Sequence, residues 1–505
     1  MKNIFRLARK HWLLLSIVLI SAFFRLYKIS GYMTFLGDEG RDALVWLRMV
    51  RNGKFTLIGP QTSIGNMYLG PLYYYLMLPF YFVLGTVGPS IGVALFGVGT
   101  TILLWYCGRE WFSGKIGLIS AFFYAISPVA IIYNRSSWNP NVMPFFALLT
   151  IWGVWQFWQK EKYEWLTIIG ITLSFAIQSH YLGLLLLPVA GIFFLLKLAE
   201  LKKGKDKDKK IKKLFFNFGF CALCFVLLTV LPLVWFDLRH NFLNYNSFYK
   251  FFSERQTTVN FKFYKAIPNL WPLWRTLVTD LLAGKNQTFG FWLAIIFGLS
   301  AVVFIFHKKG IFLKRKAVLL VWAWLAIGLL GMGLYKQHIY DHYFGFLFPG
   351  IFLMAGWIVF QAVNFHRFWK YFSPILILIV LILSLAENPL KYPPNDQMRK
   401  VEEIDRKIIE LAGDLPYNFA LIAKQNYEAG YEYFLELWGK PPRQIDPQKY
   451  KETVTEQLFV VCEDPVCDPV TNAKAGIANF GWSKIEQEWS FPWGVRLFKL
   501  IHYQK

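Results

Sequence analysis

"GREWFSGKIGLISAFFYAISPVAIIYNRSSWNPN", Gly108 to Asn141, carries the pattern that decides the fold. An apolar run from 116 to 133 is closed on one side by Arg and Lys, and on the other by Arg, Ser, Trp and Asn. About 20 apolar residues cross a bilayer. Runs of that kind repeat from Trp12 to Ala386, and 55% of the 505 residues are hydrophobic, which excludes an ordinary soluble domain. The pattern predicts an α-helical polytopic membrane protein.

Lys and Arg number 54 against 31 Asp and Glu. Basic residues in short loops accumulate on the cytoplasmic side and set orientation, so this excess is a topology signal and no nucleic-acid partner is expected. Upstream of "LKKGKDKDKKIKK", with its eight Lys and two Asp, lie seven apolar segments: about 12 to 29, 72 to 88, 91 to 107, 116 to 133, 143 to 158, 165 to 179 and 182 to 197. Lys2, Arg6, Arg9 and Lys10 require the cytoplasm as well, so the number of crossings between the two basic regions is even. The segment that does not cross is Pro71 to Gly88, rich in Tyr, Pro and Gly and suited to the interface. "GREWFSGK", "QKEKYEW", the Lys run, "HKKGIFLKRK" and "NFHRFWK" then become cytoplasmic. Later spans near 214 to 235, 287 to 307, 317 to 335, 343 to 362 and 371 to 386 bring the total to about eleven. The N-terminal run lacks a small-x-small cleavage site and reads as an uncleaved first span.

The first external loop begins "FLGDEGRDALVWLRMVRNG". Its periodicity predicts an amphipathic helix lying on the membrane surface, with Arg41, Arg48 and Arg51 on the polar side. Beyond "ENPLKYPPNDQ" hydropathy collapses, which divides the chain into a membrane domain, 1–388, and an extracytoplasmic α/β domain, 389–505. In the second, "EEIDRKIIELAG" reads as a helix ending at Gly413 and "NFALIAK" as a strand. "YEAGYEYFLELWG" follows as a helix, "QLFVVCE" as a strand and "KIEQEWSFPWGVRLFKLIH" as a hairpin. Cys462 and Cys467 would suit a disulfide if this region is outside the cell.

Polar residues converge at the outer span ends. The loops offer Arg135, Trp138, Asn139 and Asn141, then His180 and Tyr181, Arg239 and His240, and Lys336, His342 and Tyr343. An ionised carboxylate near hydrocarbon is costly unless paired or hydrated, so the adjacent Asp38 and Glu39 require a reason. Asp38 can act as a general base toward a hydroxyl. Surrounding cations can stabilise a phosphate leaving group. Acid and bases together at a membrane face suit transfer of a group from a lipid phosphate.

The acidic pair, the amphipathic helix, "GPLYYYL" and then Gly108 to Phe146 resemble, in that order, the GT-C superfamily of membrane glycosyltransferases. The likeness is to the family 39 group of protein O-mannosyltransferases and aminoarabinose transferases. It implies a sugar donor on polyprenyl phosphate, transfer with inversion on the external face, and a lipid, glycan or protein acceptor. It also implies Asp38 as the catalytic carboxylate with Glu39 beside it. Arg135, Arg239, Lys336, His342 and Tyr343 are the expected donor and phosphate contacts, and Trp138, Asn139, Asn141, His180 and Tyr181 the expected sugar or acceptor contacts. Where aminoarabinose transferases commonly carry a Lys and a second Asp, this chain has Gly70 and Asn139 or Asn141, so a divalent cation is compatible with the pattern but lacks a second carboxylate. The readings from other classes are a lipid or solute transporter, or flippase, and a ligase or polymerase using a lipid-diphosphate oligosaccharide. Polar residues at the outer span ends, without paired repeats, favour the enzyme.

Overall fold

The computed structural model describes residues 11–62, 67–204, 206–254, 258–260, 262–306, 315–365 and 367–503. The basic residues before His11 and most of "HKKGIFLKRK" lie outside them. The chain forms two compact units: one up to Ile29 and over Thr56–Pro393, the other over Ser30–Phe55 and from Pro394 onward.

The first unit is helical. Its N-terminal half runs through α1 (Trp12–Leu26) and, beyond helix α2 (Gly37–Asn52) of the other unit, through α3 (Leu72–Leu84), α4 (Gly88–Trp111), α5 (Gly114–Ile126), α6 (Met143–Gln159), α7 (Trp165–Ser179) and α8 (Leu186–Lys202). Its later part contains α9 (Lys207–Phe225), α10 (Leu231–Arg239), α11 (Leu243–Ser253), α12 (Ile267–Leu282), α13 (Gln287–Phe306), α14 (Arg315–Gly333), α15 (Phe348–Phe365) and α16 (Arg367–Ala386). Four stretches among the described residues are long and apolar enough to cross a membrane: Leu72–Trp111, Tyr181–Lys202, Lys207–Arg239 and Arg315–Gly333. Six shorter apolar helices accompany them. Gly85, at φ 63°, ends α3 and releases the chain into α4, whose 24 residues exceed the span expected at 91 to 107.

The second unit holds helix α2 (Gly37–Asn52), α17 (Gln397–Ala412), α18 (Ala429–Leu437) and a four-stranded sheet. The strands are β1 (Asn418–Ile422), β2 (Gln457–Cys462), β3 (Ser483–Ser490) and β4 (Arg496–His502), in the order β1-β2-β4-β3. β1 and β2 are parallel, and β4 runs antiparallel to both β2 and β3. Gly413, at φ 59°, ends α17, where the sequence places its stop. Cys462 and Cys467 are joined in a disulfide.

Ser30–Phe55, counted by sequence with the membrane domain, packs instead with the C-terminal unit. The apolar face of α2, with Leu44, Trp46, Leu47 and Met49, is buried, each side chain stabilising the fold by roughly 1.5–3 kcal/mol. Gly40 lies so close to Gly430 that a Cβ would overlap that residue's backbone. The arginines are also engaged within this unit. Arg48 forms a forked pair with Glu436, and Arg51 donates to the carbonyls of Glu436 and Leu437. The reading of α2 as a helix lying on the membrane surface is therefore corrected: periodicity gave its apolar face, and a protein partner covers it.

Candidate active site

Asp38 and Glu39 open α2, yet they face different surroundings. Phe35, at φ 42°, adopts the left-handed region and is buried beside Tyr433 and Phe434, with ring centroids at 5.9 and 5.5 Å. Packing around this ring sets the angle at which α2 begins. Glu39, 7% exposed, turns back: one oxygen accepts from the Leu36 amide at 3.0 Å and the other from the Thr34 hydroxyl. These bonds satisfy a donor that a helix start leaves unpaired. Burial pushes the Glu39 carboxyl up to about 7, against the opposing effect of its hydrogen bonds. Glu39, expected beside the catalytic carboxylate, is placed as the cap of its own helix.

Asp38 remains 39% exposed at its side chain. Its Oδ1 accepts from Arg41 Nη1 at 2.8 Å and from the Tyr427 hydroxyl at 2.6 Å. Arg41 also reaches buried Asp42 at 2.9 Å. Both described donors reach Oδ1, and no described residue donates to Oδ2.

In the helical unit, the loop after α5 uses its polar side chains to hold itself. Arg135 is buried and donates to the carbonyls of Phe24 and Tyr27, at the end of α1. Asn139 Nδ2 donates to Ser179 O at 2.6 Å, and Asn141 Nδ2 to Ser136 O at 2.8 Å. Gly70 sits where a Cβ would overlap Gln178 Oε1, the atom that accepts from the Leu72 amide. A lysine at this position has no room for its side chain.

Four of the expected residues meet in a cluster of rings. Trp138 and His342 have centroids 4.3 Å apart, His180 and Tyr343 4.5 Å, and His342 and Tyr343 4.6 Å. Burial pushes His180 down to about 3 and His342 to about 4, with the neighbouring His342 adding to the first shift. Both are neutral near pH 7. Tyr335 joins Tyr343 at 6.2 Å and lines a cleft of 450 Å³ with Lys265, Asn269, Lys336 and His338. Tyr181 is tied elsewhere, donating to Tyr68 O at 2.6 Å. Arg239 is exposed over the Trp235 ring at 5.1 Å, and makes no contact with the cluster among the described residues. No group of three His, Cys, Asp or Glu side chains suited to a metal occurs among the described residues.

Sequence reasoning missed two features. Arg25, inside the first apolar run, is fully buried and donates to Asn134, Ser21, Ala125 O and Tyr124 O, so neutral acceptors satisfy its charge. Tyr427 and its neighbour Asn426 reach α2 from 389 residues away. Only the interruption of a hydrophobic run marked the first; no local signal marked the second.

The chain has parallels in fold among known proteins. A family model described as "Dolichyl-phosphate-mannose-protein mannosyltransferase" matches residues 70–235. The fold is similar to that of ArnT from Cupriavidus metallidurans, solved bound to undecaprenyl phosphate, at TM-score 0.60 and 12% identity over 97% of this chain and 98% of that one. It is also similar to the oligosaccharyltransferase AglB from Archaeoglobus fulgidus, solved with an inhibitory peptide and a dolichol-phosphate, at TM-score 0.51 and 12% identity over 90% and 70%. No curated protein sequence matches the chain. The fold is that of the GT-C membrane proteins, and the family match carries the enzyme class. The match over residues 70–235 and the likeness in fold support a membrane glycosyltransferase of the GT-C type.

Proposed function

We propose that the enzyme transfers a sugar from a polyprenyl-phosphate donor to a hydroxyl of a lipid, glycan or protein acceptor, with inversion, on the extracytoplasmic face. The observation that carries this reading is Asp38: Oδ1 is held by Arg41 and Tyr427, and no described residue donates to Oδ2. The acceptor hydroxyl gives its proton to Oδ2 while its oxygen attacks the anomeric carbon. The bond from that carbon to the phosphate oxygen breaks, and its electron pair leaves with the polyprenyl phosphate. Attack from the face opposite the leaving group inverts the anomeric centre.

Lys336, with Lys265 and His338 in the 450 Å³ cleft, offers cationic and hydrogen-bonding groups suited to the phosphate. The adjoining rings of Trp138, His180, His342 and Tyr343 offer apolar faces to a sugar. The undecaprenyl phosphate of ArnT and the dolichol-phosphate of AglB support a donor of this class. The disulfide supports an oxidising compartment for the C-terminal unit, with the N-terminus in the cytoplasm by the charge rule.

The test is incubation of the protein in lipid with radiolabelled polyprenyl-phosphate sugars and envelope extract, followed by determination of the product's anomeric configuration. Transfer with inversion is the expected result. Retention would remove the single-displacement step. Transfer only from a lipid-diphosphate oligosaccharide would favour the ligase, and movement of lipid without transfer would favour the flippase.

A further inference from the structure

We propose that Tyr427 and Asn426 are positioning residues for the transfer, supplied by the C-terminal part of the chain to orient the Asp38 carboxylate. This rests on the reading of Asp38 as the base. Two contacts converge on the first turn of α2 from one dipeptide. Asn426 Oδ1 accepts from the Gly37 amide at 2.8 Å, pairing one of the donors that a helix start leaves without an intrahelical partner. The Tyr427 hydroxyl donates to Asp38 Oδ1 at 2.6 Å, and its ring lies where any Cβ on Gly37 would be.

The dipeptide is itself fixed. Asn426 Nδ2 donates to Glu463 Oε1 at 2.8 Å, and the Tyr431 hydroxyl donates to the same oxygen at 2.8 Å. Glu463 follows β2 directly, and its amide donates to Ile422 O at 3.0 Å. A continuous path of hydrogen bonds therefore runs from the sheet to the carboxylate. Its effect is to make Arg41 and Tyr427 converge on Oδ1, which directs the lone pairs of Oδ2 toward the acceptor.

The titratable groups that interact with Asp38 or its partners are Arg41, Asp42 and Glu39 on its own helix and Tyr427 on the segment facing it. Glu432 and Glu436 follow on α18, toward Arg48. Burial raises the Tyr427 hydroxyl well above its ordinary range, so it remains a donor at working pH. A donor to the ionised carboxylate favours that form. Removing it leaves Arg41 as the one described side chain donating to that carboxylate.

The experiment compares pH-rate profiles and melting temperatures of the full-length wild type, Tyr427→Phe, Asn426→Ala, Asp38→Asn and the double variant Asp38→Asn/Tyr427→Phe in lipid. The phenyl ring keeps its place against Gly37. The expected result for Tyr427→Phe is a kcat about tenfold lower, little change in donor KM, and an acid limb moved to higher pH. Asn426→Ala moves the same limb the same way by less, and Tyr427→Phe adds no further loss in the Asp38→Asn background. A limb unmoved in both single variants overturns the proposal, whether activity is unchanged or lost through a smaller folded fraction. Wild-type transfer by Asp38→Asn is a separate outcome, which overturns the base assignment itself.

Discussion

The two units hold their candidate functional groups by opposite electrostatic means. Around Asp38, in the unit built on the sheet, charges answer charges: Arg41 bridges Asp38 and Asp42, and Arg48 grips Glu436. Around His342, in the helical unit, the grouping is of rings, and Trp138, His180, Tyr340 and Tyr343 lie within 6.0 Å of it by centroid. Each region also contains a titratable group that burial drives toward neutrality. Glu39 is driven up and His342 down. On the proposed function, proton transfer belongs to the charged region and binding to the neutral rings.

The sharpest way to break the comparison is to part α2 from α18. In Gly40→Val the added side chain meets the Gly430 backbone, which cannot rotate away. The expected cost is ~3 kcal/mol or more, the upper end for overpacking, seen as a large fall in melting temperature with loss of transfer. A variant that melts and transfers like the wild type would show that the packing of α2 on α18 is not needed.

Titration sharpens the comparison. The Glu39 carboxyl moves from an ordinary 4.5 to about 7, so between those values the folded protein binds more protons than the unfolded chain. Its contribution, ~3 kcal/mol by the usual conversion, is present at low pH and is lost as pH rises through 7. In Glu39→Gln the fall in stability between pH 5 and pH 8 becomes shallower, measured by melting against the wild type. An unchanged slope would mean that Glu39 ionises freely in the fold.

His342 carries the reverse sign. Its value falls from 6.5 to about 4, so the unfolded chain binds more protons in that window and stability is lost as pH falls through it. His342→Phe, which keeps a ring against Trp138, removes that loss, worth ~1–2 kcal/mol given partial exposure. Melting at pH 4.5 and pH 7 checks it. The same variant leaves the pH-rate profile between 5 and 8 unchanged in shape, because a neutral imidazole does not titrate there.

Much of this was legible in the sequence, for local reasons. Apolar runs and loop charge gave the helical unit, and alternating patterns gave α17, β1, α18, β2 and the β3–β4 hairpin in the right order. Asp38 stood out because a carboxylate in that setting needs a reason. What was hidden is what distance in sequence hides. Amphipathicity showed that α2 has a face to bury, but not that α18, nearly four hundred residues on, covers it. Glu39 and Asp38 are neighbours of the same chemistry, and only the turn at Phe35 tells which faces inward. Arg135 and Asn139 were polar residues at a span end, a pattern shared by residues that hold a ligand and residues that hold a loop.

On the proposed function, Asp38 Oδ2 takes the acceptor's proton. The most direct test is the single-turnover transfer rate of Asp38→Asn with a saturating polyprenyl-phosphate sugar donor, alongside its melting temperature. The expected rate is at least ~100-fold below wild type, with melting little changed. Transfer at the wild-type rate by a folded Asn variant would contradict it.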